Sequence, residues 1–197
     1  MLQSRNPLVA DELALAPGAG LARARAHEVT GPARAAFALA AAAGLAGPIL
    51  WLQPDWETER PMGDGLRAFL DPARLIFGRP RTAVDLLWAA EEALRTGLVP
   101  LVVAATPEVP GLTAVRRLHL AAETGAARGA GPLLLLLTPD PGGAPGVETR
   151  WRMIPAPGWA RGGDPRWRLA RVRARMAPEA SWDATLVGGR LRLAPAG

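Results

Sequence analysis

The chain has 197 residues, 49% of them hydrophobic and 21% charged, with a formal net charge of +5. That length and balance fit one soluble globular domain with its own core. There is no cysteine, which excludes disulfides, thiol catalysis and thiolate metal sites; with two histidines, His27 and His119, a catalytic zinc centre has few ligands to draw on.

All the basic residues are arginine and tyrosine is absent. Ala, Gly, Pro and Arg dominate, as in GC-rich coding, so the number of arginines carries little weight by itself. Residues 1–16 include Arg5, Asp11 and Glu12 rather than a basic start and an apolar run, so no secretory signal is expected. The apolar stretches 33–45 and 133–137 are too short to span a bilayer, and the expected location is the cytoplasm.

In chain order, residues 1–20 read as a polar lead-in punctuated by Pro and Gly. Residues 25–29 are a short strand candidate, Gly31-Pro32 a turn, and 33–45 an Ala-rich helix broken by Gly47-Pro48. Residues 49–52 predict a second strand. A loop over 53–70 carries Asp55, Glu57, Glu59 and Asp64 and ends in a helical turn; without metal-ligand spacing, these acids read as a solvated loop. Residues 74–78 predict a third strand. The spacing over 82–96 predicts a helix with Val84, Leu87 and Leu94 inward, Glu91, Glu92 and Arg95 outward, and Gly97 as its stop.

Residues 98–105 are an apolar strand, 113–127 a helix, and 133–137 a buried strand. Strands apolar on both faces, alternating with helices, predict an α/β fold: a mostly parallel central sheet flanked by helices. The last third turns to β, with strands at 151–154, 167–176 and 182–187, and Gly188-Gly189 as a hairpin turn before 190–193. The expectation is a single domain over 1–197, ending in antiparallel β-hairpins. Loops 140–146 and 160–165 read as its most flexible parts.

The turn at Gly31–Ala38 sits where a strand runs into a helix, the geometry that presents backbone N–H groups to phosphate. Against the working motif G-x-x-x-x-G-K-[ST], the first Gly is present, but Ala36 replaces the second, Phe37 the lysine and Ala38 the metal-binding hydroxyl. Phe37 cannot neutralise phosphate and Ala38 cannot ligand Mg²⁺. On these residues alone the turn is either a lost phosphate loop or an ordinary strand–helix turn.

The wider pattern resembles the core of the RecA recombinase. Gly18-Ala19-Gly20-Leu21 and Glu28-Val29-Thr30-Gly31-Pro32 resemble its G-x-G-G-L segment and its strand into the phosphate loop. The helix that closes Ala93-Leu94-Arg95-Thr96-Gly97 leads into a strand in which Ala105 takes the place of the Walker B aspartate, and Thr138 or Pro139 that of the ATP-sensing glutamine. The resemblance covers about residues 10–193 and implies a RecA-like core. With Phe37, Ala38 and Ala105 all apolar, it looks most like the ImuA family, the RecA-like component of SOS mutagenesis cassettes. Ala26-His27-Glu28-Val29-Thr30-Gly31-Pro32, Arg166-Trp167-Arg168-Leu169 and Ser181-Trp182 are similar to that family.

That resemblance implies a pseudo-ATPase without cofactor or metal, an accessory in translesion synthesis whose partners are RecA and an ImuB-type polymerase component. A SulA-like inhibitor of cell division, a DNA-binding adaptor and a hydrolase with a rebuilt site are the alternatives. RecA's N-terminal arm is missing or reduced to residues 1–20, so no self-filament is expected. Loop 139–148 replaces a longer DNA-binding loop, leaving at most a weak DNA contact.

Between Arg150 and Arg175 there are eight arginines and one acid, Asp164. A period of two over 166–176 puts Arg171, Arg173 and Arg175 on one face, and Ala170, Val172, Ala174 and Met176 on the core side. Such a face is either a solvated surface written in arginine or the seat of an acidic partner, nucleic acid or RecA. Trp151, Trp167 and Trp182 read as core residues before base-stacking platforms. The resemblance implies that Arg173 and Arg175 match the RecA K-x-K pair that reaches the nucleotide of a neighbouring protomer.

Overall fold

Residues 133–137 set the centre of the molecule. A computed structural model describes residues 11–61, 63–129, 131–156 and 165–196. In it, strand β7 (Leu133–Leu137) has all five leucines buried, because both faces of its sheet are covered. Leu133, Leu135 and Leu137 enter one core, Leu134 and Leu136 the other.

Strands β3 (Ala26–Thr30), β4 (Ile49–Leu52), β5 (Leu75–Gly78), β6 (Leu101–Ala105) and β8 (Thr149–Pro155) run parallel with β7. Strands β9 (Arg166–Ala174), β10 (Ala180–Val187) and β11 (Arg190–Pro195) extend the sheet as an antiparallel meander. The nine-stranded order is β11-β10-β9-β8-β3-β7-β6-β4-β5. The α/β expectation, the mostly parallel sheet and the antiparallel C-terminal hairpins therefore all stand.

Helix α1 (Arg34–Ala43) covers one face, with its small apolar side chains Ala38, Ala41 and Ala42 against the sheet. Short helix α2 (Gly63–Arg67) adds Leu66 to the same core. Helices α3 (Ala83–Thr96) and α4 (Leu112–Ala126) cover the other. Thr82 caps α3 by accepting the Asp85 N–H, and Gly97 ends it in a left-handed conformation. Among the described residues no helix is long and apolar enough to cross a membrane.

Four expectations are corrected. The part of the lead-in that is described holds a hairpin, β1 (Glu12–Ala16) with β2 (Ala19–Ala22), turning at Pro17-Gly18 and burying Leu13 and Leu21 beside α1. Val84 is 76% exposed, since α3 presents Leu86, Ala90 and Leu94 to the core, a helical face displaced from the expected one. Glu91 is buried rather than outward, because it joins α3 to α4: Arg95 meets it at 2.5 Å and Arg117 at 2.7 Å. Strand β6 also starts later than residue 98, and Leu98 stands exposed.

Candidate functional site

The β3–α1 turn is short. Only Gly31, Pro32 and Ala33 separate the last strand residue, Thr30, from the first helical one, Arg34. Gly31 has φ of +91°, and a Cβ there would collide with the Met153 carbonyl oxygen of β8. That carbonyl accepts the Ala33 N–H at 3.1 Å, and the Arg34 N–H donates back to Gly31 O at 3.1 Å. Pro32 has no N–H to offer. The Ala33 and Arg34 N–H groups, two donors that a phosphate loop would aim at a ligand, are thus spent on the protein itself.

The register sharpens this. Phe37 and Ala38 are not at the mouth of the turn; both are 0% exposed inside α1, facing the sheet. Phe37 packs on Trp151 with ring centroids 5.6 Å apart, tilted by 35°. A lysine at 37 would aim its ammonium into this core. Ala105 ends β6, half-buried, and lines the same cavity as Pro32 and Arg34. The structure therefore does bring Ala105 and the turn together, at the carboxyl ends of the parallel strands.

That cavity has a volume of about 590 Å³ and lies where open α/β sheets bind ligands. Its apolar wall includes Leu39, Trp51, Leu66, Phe69 and Leu137; Gln53 follows β4 and Thr106 follows β6. Trp51 Nε1, Gln53 Oε1 and Thr106 Oγ1 are buried without a hydrogen-bond partner among the described residues. Each such group costs about 1–3 kcal/mol when left unmatched. The sequence reading missed all three. Their one signal was a polar residue directly after an apolar strand, in Trp51-Leu52-Gln53 and Ala104-Ala105-Thr106.

A second centre was also missed. Glu28 is buried inside the sheet, on the α3–α4 side. Its Oε1 accepts from Thr138 Oγ1 at 2.7 Å, Gly143 N at 2.9 Å and Ala144 N at 3.1 Å. Its Oε2 accepts from Ala144 N at 3.2 Å and pairs with Arg150. Burial pushes its pKa up, but the hydrogen bonds from Arg150, Ala144 and Thr138 outweigh that, and the carboxyl stays below the ordinary range. Loop 140–146, expected to be the loosest, is pinned to the core by this carboxylate. Thr138 is taken up here, and Pro139 lines the cavity.

His27, fully buried, links three elements. Ala22 O can only accept, so Nε2–H donates to it at 2.9 Å, which leaves Nδ1 to accept from Thr149 Oγ1 at 2.6 Å. Trp151 Nε1 donates in turn to Thr149 Oγ1 at 2.6 Å. Burial is the main cause that pushes the His27 pKa down to about 4. His119 is packed in the same manner: Nε2 bonds Gly146 O at 3.1 Å, Nδ1 accepts the Ala26 N–H at 3.4 Å, and burial lowers its pKa.

The arginine face needs correction. Arg171 is 7% exposed and points into the core beside Trp167 and Leu169. Its guanidinium lies 5.6 Å from the Trp151 ring centroid and 5.4 Å from that of Trp182, and donates to Gly18 O at 2.8 Å and Pro178 O at 3.0 Å. Arg171 alternates inward with Trp167 and Leu169, and a β-bulge separates it from Arg173 and Arg175. Trp151 pairs with Arg171 but Arg150 with Arg173, so Val172 is an extra residue and the alternation flips there. Arg173 and Arg175 are exposed past the bulge, and Met176, expected inside, is 92% exposed. Trp151, Trp167 and Trp182 are buried, as expected of core residues.

Much of the remaining positive charge is neutralised locally. Arg152 pairs with Asp140 at 3.1 Å, and hydrogen bonds from Arg152 hold the Asp140 carboxyl below its ordinary range. Arg168 pairs with Asp183 at 3.4 Å. Arg173 and Arg175 have no ion pair among the described residues. Asp55, Glu57 and Glu59 are exposed, and no group of three potential metal ligands forms among the described residues. Asp164 and the 160–164 part of the expected loop lie outside the described residues.

No protein-family model matches this chain, and no curated protein matches it.

Proposed function

We propose that this chain is a non-catalytic, RecA-like accessory protein of the SOS mutagenesis response, of the ImuA type. It acts in the cytoplasm by binding RecA and an ImuB-type polymerase component. The observation that carries the reading is the β3–α1 turn, closed by Met153 O and backed by a buried Phe37. A chain that cannot cradle a triphosphate has no hydrolysis to perform, and its surface becomes the functional part.

Arg173 and Arg175 supply that surface. They flank the amino end of β8, away from the point where Met153 meets Gly31, and stand exposed, with no ion pair among the described residues. Cations placed there serve a nucleotide carried by a neighbour rather than one in their own turn. Arginine makes charge-assisted, bidentate contacts to phosphate and suits this task. Docked on an ATP-bearing RecA protomer, the chain offers no nucleotide to the next protomer and ends the filament there.

The experiment mixes the Arg173→Ala/Arg175→Ala protein with RecA and ATP. Loss of the complex, with ATP dependence in the parent protein, is the expected result. A complex unchanged by the double substitution overturns the role of these cations.

A further inference from the structure

The closed turn accounts for the absence of a phosphate cradle but not for the cavity beside it. Trp51, Gln53 and Thr106 come from two neighbouring strands, β4 and β6, and all three line one space. Each holds a polar atom buried from solvent with no hydrogen-bond partner among the described residues: an indole N–H, an amide oxygen and a hydroxyl. Gln53 is oriented by its own amide nitrogen, which donates to Glu57 O at 3.1 Å and Glu59 O at 3.3 Å. Its oxygen is therefore left over by design of the loop, not by a free rotation of the side chain.

A donor, an acceptor and a hydroxyl that serves as either, set among apolar and aromatic walls, match a flat molecule with hydrogen-bonding edges. Phe69 and the half-exposed Trp56 supply ring faces. The rim holds two arginines, Arg34 and Arg60, and two glutamates, Glu57 and Glu59, so its formal charges cancel. The Arg34 guanidinium turns back to Gly31 O at 3.4 Å. Neither the rim nor the turn is arranged for several negative charges.

We propose that this cavity binds a neutral nucleobase, free as its nucleoside or carried on a single strand, and does not bind the triphosphate preferentially. The inference shares the closed turn with the partner reading above but not its cations, Arg173 and Arg175, which do not line this cavity.

The test titrates the whole protein with adenosine, guanosine, cytidine and thymidine, followed by tryptophan fluorescence and calorimetry, with ATP and a short oligothymidylate as further arms. Saturable binding of at least one nucleoside is expected, with ATP no tighter than adenosine. Thr106→Val removes an unmatched hydroxyl without changing shape; it should weaken that binding about tenfold while the melting temperature holds or rises. Thymidine and oligothymidylate binding alike marks a free nucleoside. Tighter oligothymidylate binding that Thr106→Val abolishes marks a base held on a strand. Absence of saturation by all the nucleosides and the oligonucleotide, unchanged affinity in Thr106→Val, or ATP binding far tighter than adenosine each overturns the proposal.

Discussion

Met153 O occupies the place that a Cβ on Gly31 would need, and accepts the Ala33 N–H of the same turn. Strand β8 thereby closes the β3–α1 turn from the side. In the proposed reading, the loss of phosphate chemistry is a property of the backbone as much as of the missing lysine.

Restoring the motif by side chains alone is therefore expected to fail. Ala36→Gly/Phe37→Lys/Ala38→Thr puts the motif's letters back, but lysine at 37 would enter the core against Trp151. The variant should lose about 3–5 kcal/mol of stability, the range for deleting a buried aromatic, and gain no saturable ATP binding with Mg²⁺. Urea unfolding and a fluorescent-ATP titration check the two halves. Micromolar binding by the variant would show that the turn opens.

Stability should also fall on mild acidification, and His27 is the main reason. Its folded pKa is about 4 against 6.5 for the free side chain. A histidine depressed in the fold stabilises above the unfolded pKa, and that contribution drains away as pH falls, because the unfolded chain takes up the proton first. Protonation would also turn Nδ1 into a donor facing Thr149 Oγ1, which already donates to it. From about pH 7.5 to about pH 5 the loss from His27 should be about 2 kcal/mol, with His119 adding in the same direction. Denaturant midpoints across that range measure it. His27→Gln, which keeps a donor toward Ala22 O, should flatten at least half of the dependence; an unchanged slope would place the titrating group elsewhere.

What the sequence made legible follows from locality. Five consecutive leucines between turn residues fit a short strand covered on both faces, Gly97 fits a left-handed helix stop, and Gly188-Gly189 joins β10 to β11 as its turn chemistry requires. The hairpin β1–β2 was present in the alternation of Leu13 and Leu15 around Pro17-Gly18, but it is short and rich in alanine. Glu28 was illegible because its partners come from distant segments, and Gln53 and Thr106 showed only as polar residues directly after apolar strands. The inward face of Arg171 follows from plain alternation with Trp167 and Leu169, but its separation from Arg173 and Arg175 was illegible, because strict alternation assumes an unbroken ladder. Nothing around Val172 advertises the bulge that breaks it.

The three arginines of β9 and its end should consequently separate into two behaviours. Arg171 is clamped by Gly18 O, Pro178 O and two tryptophan rings, and it ties the β1–β2 turn to the C-terminal meander. Arg171→Met keeps most of the side-chain length but leaves both carbonyls without their charged donor, so it should cost about 2–4 kcal/mol. Arg173→Ala and Arg175→Ala remove exposed, unpaired side chains and should each change stability by less than about 0.5 kcal/mol. Equilibrium unfolding of the single variants reads this directly. The split matters for function, because only the latter two can be deleted to test partner binding without also testing the fold. If Arg171→Met proved neutral while Arg173→Ala unfolded the protein, the bulged register of β9 against β8 would be wrong, and with it the assignment of the outward face.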